Sequence, residues 1–107
     1  MSESTEQIQN ADRLWEEHRH EPFPDNLRRA TFGDTHVWLL ELDIVGCVLR
    51  WRDNGGTLDS KDSLLLQSCI KDLDRVISEI NDPTAAHYCQ RLHQLAVLVA
   101  ENTPSTK

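Results

Sequence analysis

Two carboxylates stand where carboxylates are costly. The stretch 35–51, THVWLLELDIVGCVLRW, is nearly continuous apolar sequence, yet Glu41 and Asp43 lie in its middle and Gly46 follows them. As a helix, at roughly 100° per residue, it sets Glu41 near Val37, Val45 and Val48, and Asp43 on the opposite side near Gly46 and Arg50. The two point apart by about half a turn, so they cannot serve one substrate as a general acid–base pair. Asp43 reads as a surface residue. Glu41 reads as a largely buried charge, which is unfavourable unless paired and hydrogen-bonded. Arg28 and Arg29, just ahead of the stretch, are its expected partners. An internal ion pair anchoring the preceding loop is the simpler expectation, and a ligand-binding or catalytic carboxylate is the alternative. The candidate binding residues are Glu41, Arg28, Arg29 and Trp38.

The other reactive residue types form no motif. Five histidines, His18, His20, His36, His87 and His93, show no His-x-x-x-His spacing of the kind that holds a metal on a helix. His18 and His20 sit at the end of an N-terminal helical pattern beside Glu17 and Glu21 and are expected to be solvated, although His18 also extends that helix's apolar edge. Cys47, Cys69 and Cys89 each fall on an apolar stripe, one per helix, and are expected to pack as small hydrophobes. None stands at a helix start where its thiol would be activated. No Ser-His-Asp arrangement or Gly-rich phosphate loop occurs, so no catalytic residue, metal ligand or cofactor is assigned. The segment Arg28–Thr31, RRAT, matches a short kinase-substrate pattern, but four residues match by chance too often to carry weight.

Four helical segments must position these side chains. The stretch 35–51 fits a helix twice. Val37, Leu40, Ile44, Cys47 or Val48, and Trp51 form one stripe, and Trp38, Leu42, Val45 and Leu49 form another. Asp34 or Thr35 is the expected cap and Gly55 or Gly56 the stop. A helix apolar on both sides is expected to be the central, most buried one. A strand near 36–42 is the alternative. Downstream, Leu66, Cys69, Ile70, Leu73, Val76, Ile77 and Ile80 recur at steps of three and four behind a cap at Asp59, with Asp62 in the first turn. Asp82 and Pro83 then open a helix carrying Ala85, Cys89, Leu92, Leu95, Ala96 and Val99 on one side. The short link between these two predicts an antiparallel pair. Residues 4–19 form a weaker helix, with Ser4 and Gln7 as a capping box and Ile8, Ala11, Leu14 and Trp15 as its edge. The connection HEPFPDNLRRATFGDT is expected to pack through Phe23, Leu27 and Phe32. The fold class is therefore all-α: three main antiparallel helices, a weaker N-terminal helix and a long packed loop, with α+β as the alternative.

Composition limits what such a domain does. One domain is expected over 1–107, with frayed ends at about 1–4 and 102–107. The net charge of −7 is uneven, with −4 on residues 1–21 and −3 on 59–82. Nucleic acid and acidic membranes are poor partners for such a surface. No apolar run reaches the roughly 20 residues of a membrane span. The N-terminus lacks a basic start and an apolar stretch, and the odd number of cysteines argues against disulfides, so the expected location is the cytoplasm. Two functions fit. One is a small regulator, adaptor or immunity-type binder working by contact with another protein or a second copy. The other is a small-molecule or metal-binding domain, an enzyme among the options, centred on Glu41 with Arg28 or Arg29. The absence of any catalytic motif favours the first. The last expectation is that the N-terminal helix covers the second stripe.

Overall fold

A computed structural model describes residues 2–28 and 31–102. Four helices carry the chain: α1 (Ser2–Arg19), α2 (Val37–Asp53), α3 (Ser60–Glu79) and α4 (Pro83–Glu101). Between α1 and α2 lie a 3-10 turn (Asp25–Leu27) and a minimal hairpin, β1 (Thr31–Phe32) and β2 (Thr35–His36), with Thr31 opposite His36 and Phe32 opposite Thr35. The helical bundle is the expected class. The strand alternative near 36–42 is reduced to two residues ending at His36, because the helix begins at Val37.

Local chemistry sets most boundaries. Asp59 accepts the Asp62 N–H at 2.8 Å and opens α3, and Asp82 accepts the Ala85 N–H at 2.7 Å and opens α4 behind Pro83. Each satisfies an otherwise orphan donor of a first turn. α2 stops at the two glycines: Gly56 N–H reaches the Trp51 carbonyl at 2.8 Å, with φ of +71° at Gly55 and +99° at Gly56. That backbone favours residues without a Cβ. The start of α2 differs from the expected one. His36 is the N-cap and gives no side-chain bond, and Thr35 is engaged elsewhere: its hydroxyl accepts from Arg75 at 2.6 Å. Arg75 also donates to the Phe32 carbonyl at 3.1 Å, so one α3 arginine fastens the hairpin to the bundle. The Ser4–Gln7 capping box falls on side chains outside the described residues.

Sequential helices run antiparallel. Asp74 of α3 faces His93 of α4 across their three-residue link, and Arg50 near the end of α2 grips Asp62 in the first turn of α3, with Nε 2.7 Å from Oδ2. The α3 and α4 stripes are buried as spaced, Tyr88 joining the α4 set and Ile70, Ile77 and Ile80 packing at the margin. The centre of the bundle is α4 rather than α2: α4 packs against α1, α2 and α3. The loop before α2 packs through Leu27, with Phe23 and Phe32 half-buried, as its spacing predicts.

α2 departs most from expectation. Its first stripe, Val37, Leu40, Ile44, Cys47, Val48 and Trp51, is fully in the core. Among the described residues, nothing covers most of its second. Trp38 is 44% exposed, Leu42 54% and Leu49 38%, and Leu39 beside them is exposed as well. The N-terminal helix packs instead on α4 and on the end of α2, where Ile8 meets Gly56 and Asp12 pairs with Arg52. Its own edge, Ile8, Ala11, Leu14 and Trp15, is spent on that contact. No helix among the described residues is long and apolar enough to cross a membrane.

Candidate functional site

Three helices converge on Glu41. α2 presents it one turn into the helix, α1 brings His18 from its last turn, and α4 brings Tyr88 from the turn after its cap. Tyr88 donates its hydroxyl proton to Glu41 Oε2 at 2.5 Å, and His18 Nε2 lies 3.0 Å from the same oxygen. His18 Nε2 is also 3.3 Å from the Tyr88 hydroxyl, and the two rings pack with centroids 4.9 Å apart. His18 is 3% exposed, whereas the Glu41 side chain keeps 23% of its surface in solvent. Glu41 therefore sits at the rim of the core rather than deep within it.

Of the two expected arginine partners, Arg28 makes no ion pair with Glu41. Arg28 donates through Nε to Asp25 at 3.1 Å on the exposed loop, and Arg29 lies outside the described residues. The loop's 3-10 turn keeps Arg28 beside Asp25, three residues back, while the end of α1 already occupies the inner side of Glu41. The solvated His18 of the sequence reading is likewise corrected to a buried one. Its spacing from Ala11, Leu14 and Trp15 puts it on the apolar edge, and that periodicity was the signal for its burial. Tyr88 was not singled out, although it stands three residues after Ala85 and four before Leu92, on the α4 stripe.

The electrostatics fix the protonation of two of the three groups of this node. Burial raises the pKa of Glu41, but hydrogen bonds from His18 and Tyr88 and the charge of His18 outweigh it, so the carboxyl lies below its ordinary value of 4.5 and is ionised at neutral pH. Burial, then the Glu41 carboxylate, drives the Tyr88 phenol far upward, so it stays a donor. The ionised, partly exposed Glu41 carboxylate is the group of the node open to an incoming donor, whereas the phenol, held neutral, and the histidine, shut from solvent, are poorly placed to meet one. The three thiols are no better placed. All are buried, and burial raises the pKa of each, of Cys89 to about 11 and of Cys69 to about 12. Such thiols are poor nucleophiles at neutral pH. Among the described residues no group of three or more His, Cys, Asp or Glu side chains is arranged to hold a metal ion.

On its outer side Glu41 lines a cavity of about 250 Å³ together with Phe23, Arg28, Trp38 and Leu42. Three of the four candidate binding residues thus share one small pocket. Phe23, between Pro22 and Pro24, is braced edge-on against Tyr88 with ring centroids 5.5 Å apart, which fixes that wall. Beyond Phe23 a second hollow of about 320 Å³ is bounded by Glu21, Asp25, Arg28 and Tyr88. Both Glu41 bonds fall on Oε2. Oε1 accepts no hydrogen bond among the described residues.

No family model, curated protein or solved structure matches this chain.

Proposed function

We propose that the protein acts by contact with another protein, as a regulator, adaptor or immunity-type binder, through the outer face of α2. The observation that carries this is the exposure of Trp38, Leu42 and Leu49 on one stripe, with half-buried Val45 between the leucines and exposed Leu39 alongside. Contiguous apolar surface of that kind is uncommon on monomers unless something docks there. Burying each such side chain yields roughly 1.5–3 kcal/mol, so a partner covering the stripe has an adequate driving force. The face holds a tryptophan, among the residue types that most often anchor interfaces.

Charge favours a different protein over a second copy, since two chains of −7 each repel. It also argues against nucleic acid. The small-molecule alternative centred on Glu41 has less support. Its pocket is smaller than the roughly 300–1,000 Å³ usual for a drug-sized ligand, and Glu41 is held by protein side chains rather than by an arginine that a ligand could displace. Three free thiols suit a reducing compartment, which supports a cytoplasmic reading of the contact.

The test is a photo-crosslinking amino acid introduced in source cells at Leu42 or Leu49, and at Leu64, an exposed leucine of α3, for comparison. The expected result is one discrete adduct from the α2 positions and none from Leu64. Equal labelling from all three positions, no adduct, or an adduct of twice the chain mass would overturn the proposal.

A further inference from the structure

The pocket at the head of the α2 face has a chemistry of its own. Its walls are two aromatic rings, Phe23 and Trp38, and the side of Leu42, and a carboxylate stands at its edge. A ring face attracts a cation through its quadrupole, and a carboxylate adds a charge-assisted hydrogen bond. The carboxylate is prepared for this role. His18 and Tyr88 hold Oε2 and fix the side chain, and no described residue donates to Oε1, which faces an incoming donor. Preorganisation of this kind reduces the entropic cost of binding.

Among the described residues of the wall the one cation is Arg28, and it does not reverse the sign of the site. It is paired with Asp25, and both side chains are well exposed and free to swing outward. Counting Glu21, Asp25 and Glu41 against Arg28, the pocket and the adjoining hollow are net acidic, as is the chain. The pocket volume of about 250 Å³ suits one long side chain rather than a separate ligand. Leu42 also belongs to the apolar stripe, so a helix or strand lying on α2 would pass the pocket mouth.

We infer that the pocket between Phe23, Trp38 and Glu41 receives an arginine side chain of the protein partner, its guanidinium stacked on an aromatic ring and hydrogen-bonded to Glu41 Oε1. Arginine is the better fit than lysine because its planar group stacks and donates at once. The inference rests on α2 being the contact face and names the chemistry of what meets it: a basic, partly apolar segment.

The test uses isotopically labelled protein, titrated with Nα-acetyl-arginine N-methylamide and followed by NMR at Phe23, the Trp38 indole and Leu42. The norleucine and glutamate analogues serve as controls for apolar and anionic binding. The expected result is a saturable shift confined to those residues, with the arginine probe binding about tenfold tighter than either control, a difference of about 1.4 kcal/mol. Glu41→Gln should remove most of that preference. Because this substitution also touches the His18–Tyr88 node, Trp38→Ala is the second variant, changing an exposed side chain and weakening the arginine probe without unfolding the bundle. Leu64→Ala should change nothing. Equal binding of the norleucine probe, tighter binding of the glutamate probe, or no saturable shift would each overturn the inference. If crosslinking from Leu42 and Leu49 persisted in that case, the contact face would stand without its cationic anchor.

Discussion

α2 has two apolar faces of nearly the same composition and opposite fates. Val37, Leu40, Ile44, Val48 and Trp51 lie in the core, while Trp38, Leu42 and Leu49, each one or two positions away, lie in solvent. Helical periodicity records that a face is apolar, not whether a neighbour exists to cover it. α3 and α4 fill the inner side. α1, the remaining local candidate, is drawn to α4 by its narrow edge and pinned there by charge: Arg91 of α4 meets Glu17 at 3.0 Å and Glu21 at 3.6 Å. The difference teaches that two apolar faces of one helix can have different surroundings, and that the proposed contact rests on the outer one.

The largest expected effect tests the inner face. Ile44→Ala should destabilise the protein by about 2–5 kcal/mol, since it opens a cavity in a side of the bundle with no means of collapse. Denaturant midpoints with unchanged slopes measure it. A cost near zero would mean that α2 is loosely packed and that its two faces do not differ.

Much of this architecture was legible in the residues. The caps at Asp59 and Asp82, the stops at Gly55 and Gly56 and the stripes of α3 and α4 are local signals, and local chemistry decides them. The first α2 stripe was readable for the same reason. The partners of Glu41 were not. Arg28 and Arg29 are near in sequence, whereas His18 and Tyr88 lie 23 and 47 residues away and meet Glu41 only because α1 and α4 cross α2 at that height. Spacing marks Glu41 as a group that needs a partner. It cannot say which helix end arrives, and here a histidine and a tyrosine meet Glu41 where Arg28 was expected. Trp38 and Arg28 were named as binding residues from sequence, and they do share a pocket with Glu41, but the wall supplied by Phe23 depends on how the loop folds back over α2.

The polar node gives the second prediction. Tyr88→Phe leaves the Glu41 carboxylate without its short hydrogen bond and should cost about 1–3 kcal/mol at neutral pH, and Glu41→Gln should cost a comparable amount. The pH dependence sharpens this. The folded pKa of Glu41 is depressed, so its contribution is present above the ordinary value of 4.5 and is lost as pH falls through the folded value. Wild-type stability should therefore drop below about pH 4.5 more steeply than that of Glu41→Gln. Parallel profiles would remove Glu41 from the account of acid stability.

The thiols give a third. Their folded pKa values are raised, so their contribution is complete below the ordinary value of 9.0 and is lost as pH rises through about 11 for Cys89 and about 12 for Cys69. Native protein should react slowly with a thiol reagent at neutral pH and quickly once unfolded. Fast modification of all three in the native state would show that the core opens readily.

The smallest expected effect is the most informative about α2. Leu42→Ser removes an apolar side chain that is already more than half in solvent. If its face is a contact surface rather than part of the core, the change should move stability by no more than about 0.5 kcal/mol, as for surface substitutions in general. The same substitution on the inner face would place an unsatisfied hydroxyl in the core and should cost several times more. Leu42→Ser should nevertheless abolish the α2 crosslinks from position 49, because it places a polar group at the most exposed position of the stripe. Stability and contact would thus separate in one variant. If Leu42→Ser proved as destabilising as Ile44→Ala, the outer stripe would be packed in solution, and the two faces of α2 would differ in which part of the chain covers them rather than in whether a second protein is needed.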